Sequence, residues 1–74
     1  SGTGEHMTHE QLSDREYQVL CMLAKGKRIK DIASNLGLSP KSVSTYRNRL
    51  LQKLKLQNNE ELTSYVRQHH LIEE

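Results

Sequence analysis

Read as spacings of apolar residues, the chain divides into four segments of helical period separated by short polar breaks. The first opens at Ser13-Asp14-Arg15-Glu16, a capping-box pattern: the Ser13 hydroxyl can accept from the Glu16 amide, and the Glu16 carboxylate can accept from the Ser13 amide. Leu12 and Tyr17 flank the box as a hydrophobic staple. Tyr17, Leu20, Cys21 and Ala24, with Val19 and Leu23 beside them, then form a broad apolar face until Gly26 offers a left-handed stop, which predicts a helix over about 14–25. A shorter segment, about 29–36, carries Ile29, Ile32, Ala33 and Leu36 at helical spacing and ends at Gly37. Arg28 stands where a Ser, Thr, Asp or Asn cap is expected, so the first amides of this helix need another partner, water or a phosphate oxygen.

Ser39 caps the third helix and Pro40 fills its first turn, where a missing N–H does no harm. Gly37, Leu38 and Ser39 thus leave a three-residue turn between the second and third helices. On a wheel at about 100° per residue, the third helix, about 40–54, gathers Val43, Leu50 and Leu54 on one side with Tyr46 and Leu51 at its flanks. Lys41, Ser44, Thr45, Asn48 and Gln52 occupy the opposite side, with Arg49 and Lys53 along one margin. The fourth helix starts at Asn58, where Glu61 completes a second capping box, and turns Leu62, Tyr65, Val66 and His69 inward. It ends near His69 and His70, and Leu71 and Ile72 can fold back on the core. The pattern predicts an all-α, four-helix domain over 12–72, with no internal repeat.

Composition narrows this further. A chain of 74 residues can bury one small core, and without Trp or Phe that core must come from Leu, Ile, Val, Ala and three Tyr. A lone cysteine, Cys21, makes no internal disulfide and is read as a small buried hydrophobe in a protein of the reducing cytoplasm. No stretch approaches the ~18 apolar residues that would cross a bilayer, so no membrane role is expected. The opening run SGTGEHM, residues 1–7, reads as a cloning remnant and residues 8–11 as a linker. His6 and His9 fall in this polar leader, and neither a metal site nor a cofactor is expected from them.

Charge changes the picture more. Residues 25–55 hold nine Lys and Arg against one acid, Asp31, a net +8, while the remainder of the chain carries −6. Randomly mixed surface charge rarely splits this way, so the middle of the chain is built to face a polyanion. A short helix, a tight turn and a second helix with a polar outer stripe make a helix-turn-helix, whose second helix lies in the major groove of double-stranded DNA. Arg47 sits nearer the core edge, where an ion pair with Glu16 or Asp14 competes with a DNA contact. An enzyme would need a cleft with a positioned nucleophile or acid–base pair, and nothing in so short a chain supplies one.

The string from Leu12 to Ile72 resembles the LuxR-type (NarL/FixJ) helix-turn-helix domain along its whole length. The resemblance is carried by the L-S-x-R-E opening, Gly26, Asp31-Ile32-Ala33, Leu36-Gly37-Leu38-Ser39, Ser42-Val43, Lys53-Leu54 and Glu61-Leu62. It implies a winged-helix-like fold without a wing, the third helix as recognition element, and a homodimer formed through the fourth. It also implies an N-terminal receiver or ligand-sensing domain beyond this segment, and partners that include RNA polymerase; the Ser42-to-Tyr46 run leans toward two-component response regulators. By position, Ser44, Thr45 and Asn48 fall where the family touches bases, and Lys30, Ser39, Lys41, Ser42, Tyr46, Arg49 and Lys53 fall at the phosphate edges. Thr63, Ser64, Arg67 and Gln68 form the outer side of the fourth helix, where dimerisation is expected. The chain departs from the pattern at Arg28 for a small cap, Tyr46 for a frequent His, and His70 for a frequent Gly. Two rivals share parts of the pattern. A sigma factor region-four module has a similar opening, and a helical protein-interaction module would not need the basic stripe.

Overall fold

The computed structural model describes residues 11–72, so the remnant assigned to 1–7, most of the linker, His6 and His9 lie outside the described residues. Four helices follow in order: α1 (Asp14–Ala24), α2 (Ile29–Leu36), α3 (Pro40–Leu54) and α4 (Asn59–Gln68). No strand occurs among the described residues, and none of these helices is long and apolar enough to cross a membrane. α1 packs on α3 and α4, and α2 packs chiefly on α3.

The helix starts follow local chemistry. Ser13 accepts from the Glu16 amide at 3.2 Å, while Glu16 accepts from the Ser13 amide at 2.9 Å, closing the expected box. Ser39 accepts from the Ser42 amide at 3.1 Å, and Asn58 from the Glu61 amide at 2.9 Å. The second box closes differently from expectation: Glu61 accepts from the Gln57 amide at 2.7 Å, one residue before the cap. Asn58 adopts fully extended backbone, φ −158° and ψ −179°, and the Glu61 side chain bonds one residue upstream of it. Arg28 offers α2 no side-chain cap.

The helix ends share one device. Lys27, Leu38, Leu56 and Leu71 each donate their amide to the carbonyl five residues back, on Met22, Ala33, Leu51 and Val66, at 2.8–3.1 Å. Each closure needs a left-handed residue just before the donor. Gly26 (φ 87°) and Gly37 (φ 69°) supply it at α1 and α2, whereas Lys55 (φ 59°) and His70 (φ 56°) supply it at α3 and α4. His70, where the family resemblance leads one to expect Gly, thus takes the left-handed conformation itself.

The core comprises Val19, Leu20, Leu23, Ile32, Ala33, Val43, Leu50, Leu51, Leu54, Leu62 and Val66, with Leu12, Tyr17, Tyr46, Tyr65, Leu71 and Ile72 packed at its edge. The inward face of α1 is centred differently from the sequence expectation. Glu16, Val19, Leu20 and Leu23 are buried, whereas Tyr17, Cys21 and Ala24 are half-buried. The apolar stripe of α1 is wider than one contact line, and the positions of α3 and α4 choose which part of it is covered. His69 is likewise displaced: it caps the C-terminus of α4 in the open, its ring 4.2 Å from that of Tyr65, instead of joining the core.

Candidate nucleic-acid interface

At 15 residues α3 is the longest of the described helices, about 22 Å at 1.5 Å per residue. Its inner face, Val43, Leu50, Leu51 and Leu54, is held on α1 and α2. Opposite it, Lys41, Thr45, Asn48 and Gln52 recur every three or four residues in one exposed stripe. Ser44 is half-buried at the stripe's margin and Arg49 is exposed at the other. The side chains of Asn48, Arg49 and Lys41 have no partner among the described residues. Thr45 is different: its hydroxyl donates to the Lys41 carbonyl at 3.1 Å.

The N-terminal end of α3 brings the Ser39 and Ser42 hydroxyls together at 3.0 Å, with Ser39 donating. Ser39 is exposed and Ser42 half-buried. Lys30 lies exposed in the first turn of α2, on the other arm of the turn. The uncapped amides at the start of that helix add a further electropositive edge. Tyr46 is half-buried against the core. Of the expected phosphate set, then, Lys30, Ser39, Lys41 and Arg49 stand in the open, and Ser42 and Tyr46 stand partly in it.

Lys53 is the departure. Its ammonium lies 2.9 Å from the Glu16 carboxylate, and the two side chains are 36% and 4% exposed. Burial alone would raise the Glu16 pKa. The hydrogen bonds from Lys53 and the Ser13 backbone, with the nearby positive charge, outweigh it and hold the carboxyl below the ordinary glutamate range. Lys53, expected at the phosphate edge, is thereby turned toward α1: on the wheel it sits one step past Arg49 toward the core, within reach of a buried acid. The ion pair of Arg47 with Glu16 or Asp14, weighed above against a DNA contact, does not form. Lys53 takes Glu16, and Arg47 donates through Nε to the Asn59 side chain at 3.1 Å, tying α3 to the first residue of α4.

On the far side, α4 is flanked by two shallow grooves. Tyr65 and Gln68 line one with Leu56; Leu23, Gly26, Thr63 and Arg67 line the other, and Glu60 and Ser64 border both. The four residues expected at a dimer contact all border these grooves, with Ser64, Arg67 and Gln68 exposed and Thr63 half-buried.

This architecture has known counterparts. The chain is 42% identical over 60 residues to the response regulator UvrY of Escherichia coli (strain K12), covering 81% of this chain and 28% of that protein. It is 34% identical over 71 residues to the transcriptional regulatory protein LiaR of Bacillus subtilis (strain 168), covering 95% of this chain and 34% of that protein. The chain thus spans about a third or less of the length of these relatives. In structure it resembles the DNA-binding domain of the RcsB protein of Erwinia amylovora, with a TM-score of 0.77 and 28% identity, over 85% of this chain and 72% of that one. The family described as bacterial regulatory proteins, luxR family, matches residues 10–66, from before α1 through most of α4. With the helix-turn-helix, the exposed polar stripe and this match in agreement, the chain belongs to the luxR family of bacterial regulatory proteins.

Proposed function

We propose that this domain binds promoter DNA sequence-specifically, as the output part of a transcription regulator controlled by a receiver or ligand-sensing domain elsewhere in the protein. The observation that carries the reading is the exposed stripe of α3, where Thr45 and Asn48, with Ser44 at the margin, lie between unpaired Lys41 and Arg49. Groups that hydrogen-bond base edges flanked by groups that bind phosphates are what major-groove recognition requires. Asn48 has the side-chain amide for bidentate contact with adenine. Lys30, Ser39, Lys41, Ser42, Tyr46 and Arg49 hold the backbone on either side.

One α3 reads only a few base pairs, too few to outcompete non-specific sites, so two copies act together. A two-fold dimer through Thr63, Ser64, Arg67 and Gln68 sets two recognition helices about one turn apart, on an inverted repeat with half-sites about ten base pairs apart. The setting is the bacterial cytoplasm, RNA polymerase is the further partner at the promoter, and no catalysis is involved. The test is selection of duplexes from a random library, followed by titration of the selected site across salt. Log affinity is expected to fall linearly with log salt, by about 0.9 for each phosphate contact. Salt-independent binding, or no enrichment of any sequence, refutes the reading. Sedimentation on the selected duplex should give two chains per site, and a specific 1:1 complex refutes the dimer.

A further inference from the structure

Thr45 stands in the middle of the exposed stripe of α3, one turn after Lys41 and one turn before Asn48. A threonine there is usually taken as a hydrogen-bonding residue, able to donate to or accept from any base edge. Its geometry here restricts that freedom. Oγ1 donates its hydrogen to the Lys41 carbonyl at 3.1 Å, a bond within the helix's own preceding turn. The bond fixes the side-chain rotamer and commits the one hydrogen the hydroxyl has. Oγ1 and the γ-methyl share Cβ, so with the oxygen bonded back along the helix Oγ1 keeps only acceptor capacity, and the methyl is the apolar group the exposed side chain offers a ligand. In the major groove thymine alone presents a methyl, at C5.

We propose that Thr45 is a specificity-determining residue that reads a thymine 5-methyl through its own γ-methyl, while its hydroxyl serves the helix backbone. The inference rests on the DNA-binding reading above and assigns one base preference within it. The Lys41 and Asn48 side chains, unpartnered among the described residues, supply the hydrogen bonds to either side, to phosphate and to a base edge, and Thr45 supplies the apolar contact between them.

The experiment takes the selected duplex and replaces its thymines one at a time with uracil, which pairs identically and lacks only the methyl. Thr45→Val keeps the methyl and shape and loses the hydroxyl; Thr45→Ser keeps the hydroxyl and loses the methyl. Thermal melts of both variants confirm folding. At one thymine per half-site the parent protein should lose about fourfold in affinity with uracil, the worth of one buried methyl. Thr45→Val should bind the parent duplex within about twofold and keep the uracil sensitivity. Thr45→Ser, which removes the methyl from both chains of the dimer, should bind about sixteenfold more weakly, about fourfold per half-site, and no longer distinguish thymine from uracil. The proposal is overturned if Thr45→Val loses the affinity and Thr45→Ser retains it, or if no uracil position responds to residue 45. Failure of the parent protein to distinguish selected from random DNA at any position is a separate result, which removes the DNA-reading function and this inference together.

Discussion

Replacing Lys53 with Met separates two roles that the same lysine could play. As a phosphate ligand it would matter only when DNA is bound; as the partner of Glu16 it matters to the free domain. The Glu16 side chain is 4% exposed, and besides Lys53 it accepts from the Ser13 amide. Removing the ammonium leaves a buried carboxylate held only by Ser13, through its amide and its side chain. A hydrogen bond to a charged group contributes about 1.5–3 kcal/mol, and breaking a fully buried pair costs about 3–5 kcal/mol. Lys53 is itself 36% exposed, so water reaches the pair and the lower range applies. Lys53→Met is therefore expected to destabilise by about 2 kcal/mol, or roughly 10 °C in Tm for a domain this size.

Glu16→Gln should cost less, about 1 kcal/mol, since the amide keeps the packing and Lys53 can turn to water. The double variant should resemble Glu16→Gln alone, because the buried charge that Lys53→Met strands is then absent. Urea unfolding followed by circular dichroism, analysed as a two-state cycle, gives the coupling directly. On DNA, Lys53→Met should leave the salt dependence unchanged. Unaltered stability together with a salt slope reduced by about 0.9 would place Lys53 on the phosphates and refute the reasoning.

Acid should act through the same pair: a folded-state pKa below the ordinary value means the stabilisation is full above the unfolded pKa, about 4.3, and is lost as pH falls through the lower folded value. Urea unfolding between pH 6 and 3 should show the advantage of the parent over Glu16→Gln shrinking at the acid end, and a constant difference would count against it. Lys55→Gly should stabilise by about 1 kcal/mol, because left-handed backbone strains a side chain by about 1–2 kcal/mol and the glycine's extra chain entropy takes back about 0.5–1 kcal/mol; a lowered Tm would contradict this. Gly37→Ala should destabilise by about 1 kcal/mol through φ alone, since an added Cβ meets nothing within 4 Å; calorimetry of the variant checks it. Asn48→Ala should lose about 1–3 kcal/mol on the selected site and little on random DNA, whereas Arg49→Ala should weaken both alike; competition titrations with the two duplexes decide.

What could be read from the sequence is what short-range chemistry decides. The Ser13, Ser39 and Asn58 caps, the turns at Gly26 and Gly37 and the burial of Val43, Leu50, Leu54, Leu62 and Val66 depend on neighbours within a few residues or on a strong helical period. The outer stripe of α3 was legible for the same reason, since its exposure is the complement of that period. The tertiary structure decided which edge of each stripe is covered. Glu16 reads as a capping residue, and nothing local says that its second oxygen-bound partner lies on α3, 37 positions away. That packing turned Lys53 toward Glu16, left Arg47 to Asn59, and moved the buried line of α1 from Tyr17 and Cys21 toward Glu16 and Val19. The left-handed caps at Lys55 and His70 are of the same kind. Their residue types disfavour positive φ, but the amides of Leu56 and Leu71 must reach Leu51 and Val66 while their side chains pack on the core. The burial gained by those leucines outweighs a strain of about 1–2 kcal/mol per site, a balance settled only when the core they pack against is assembled.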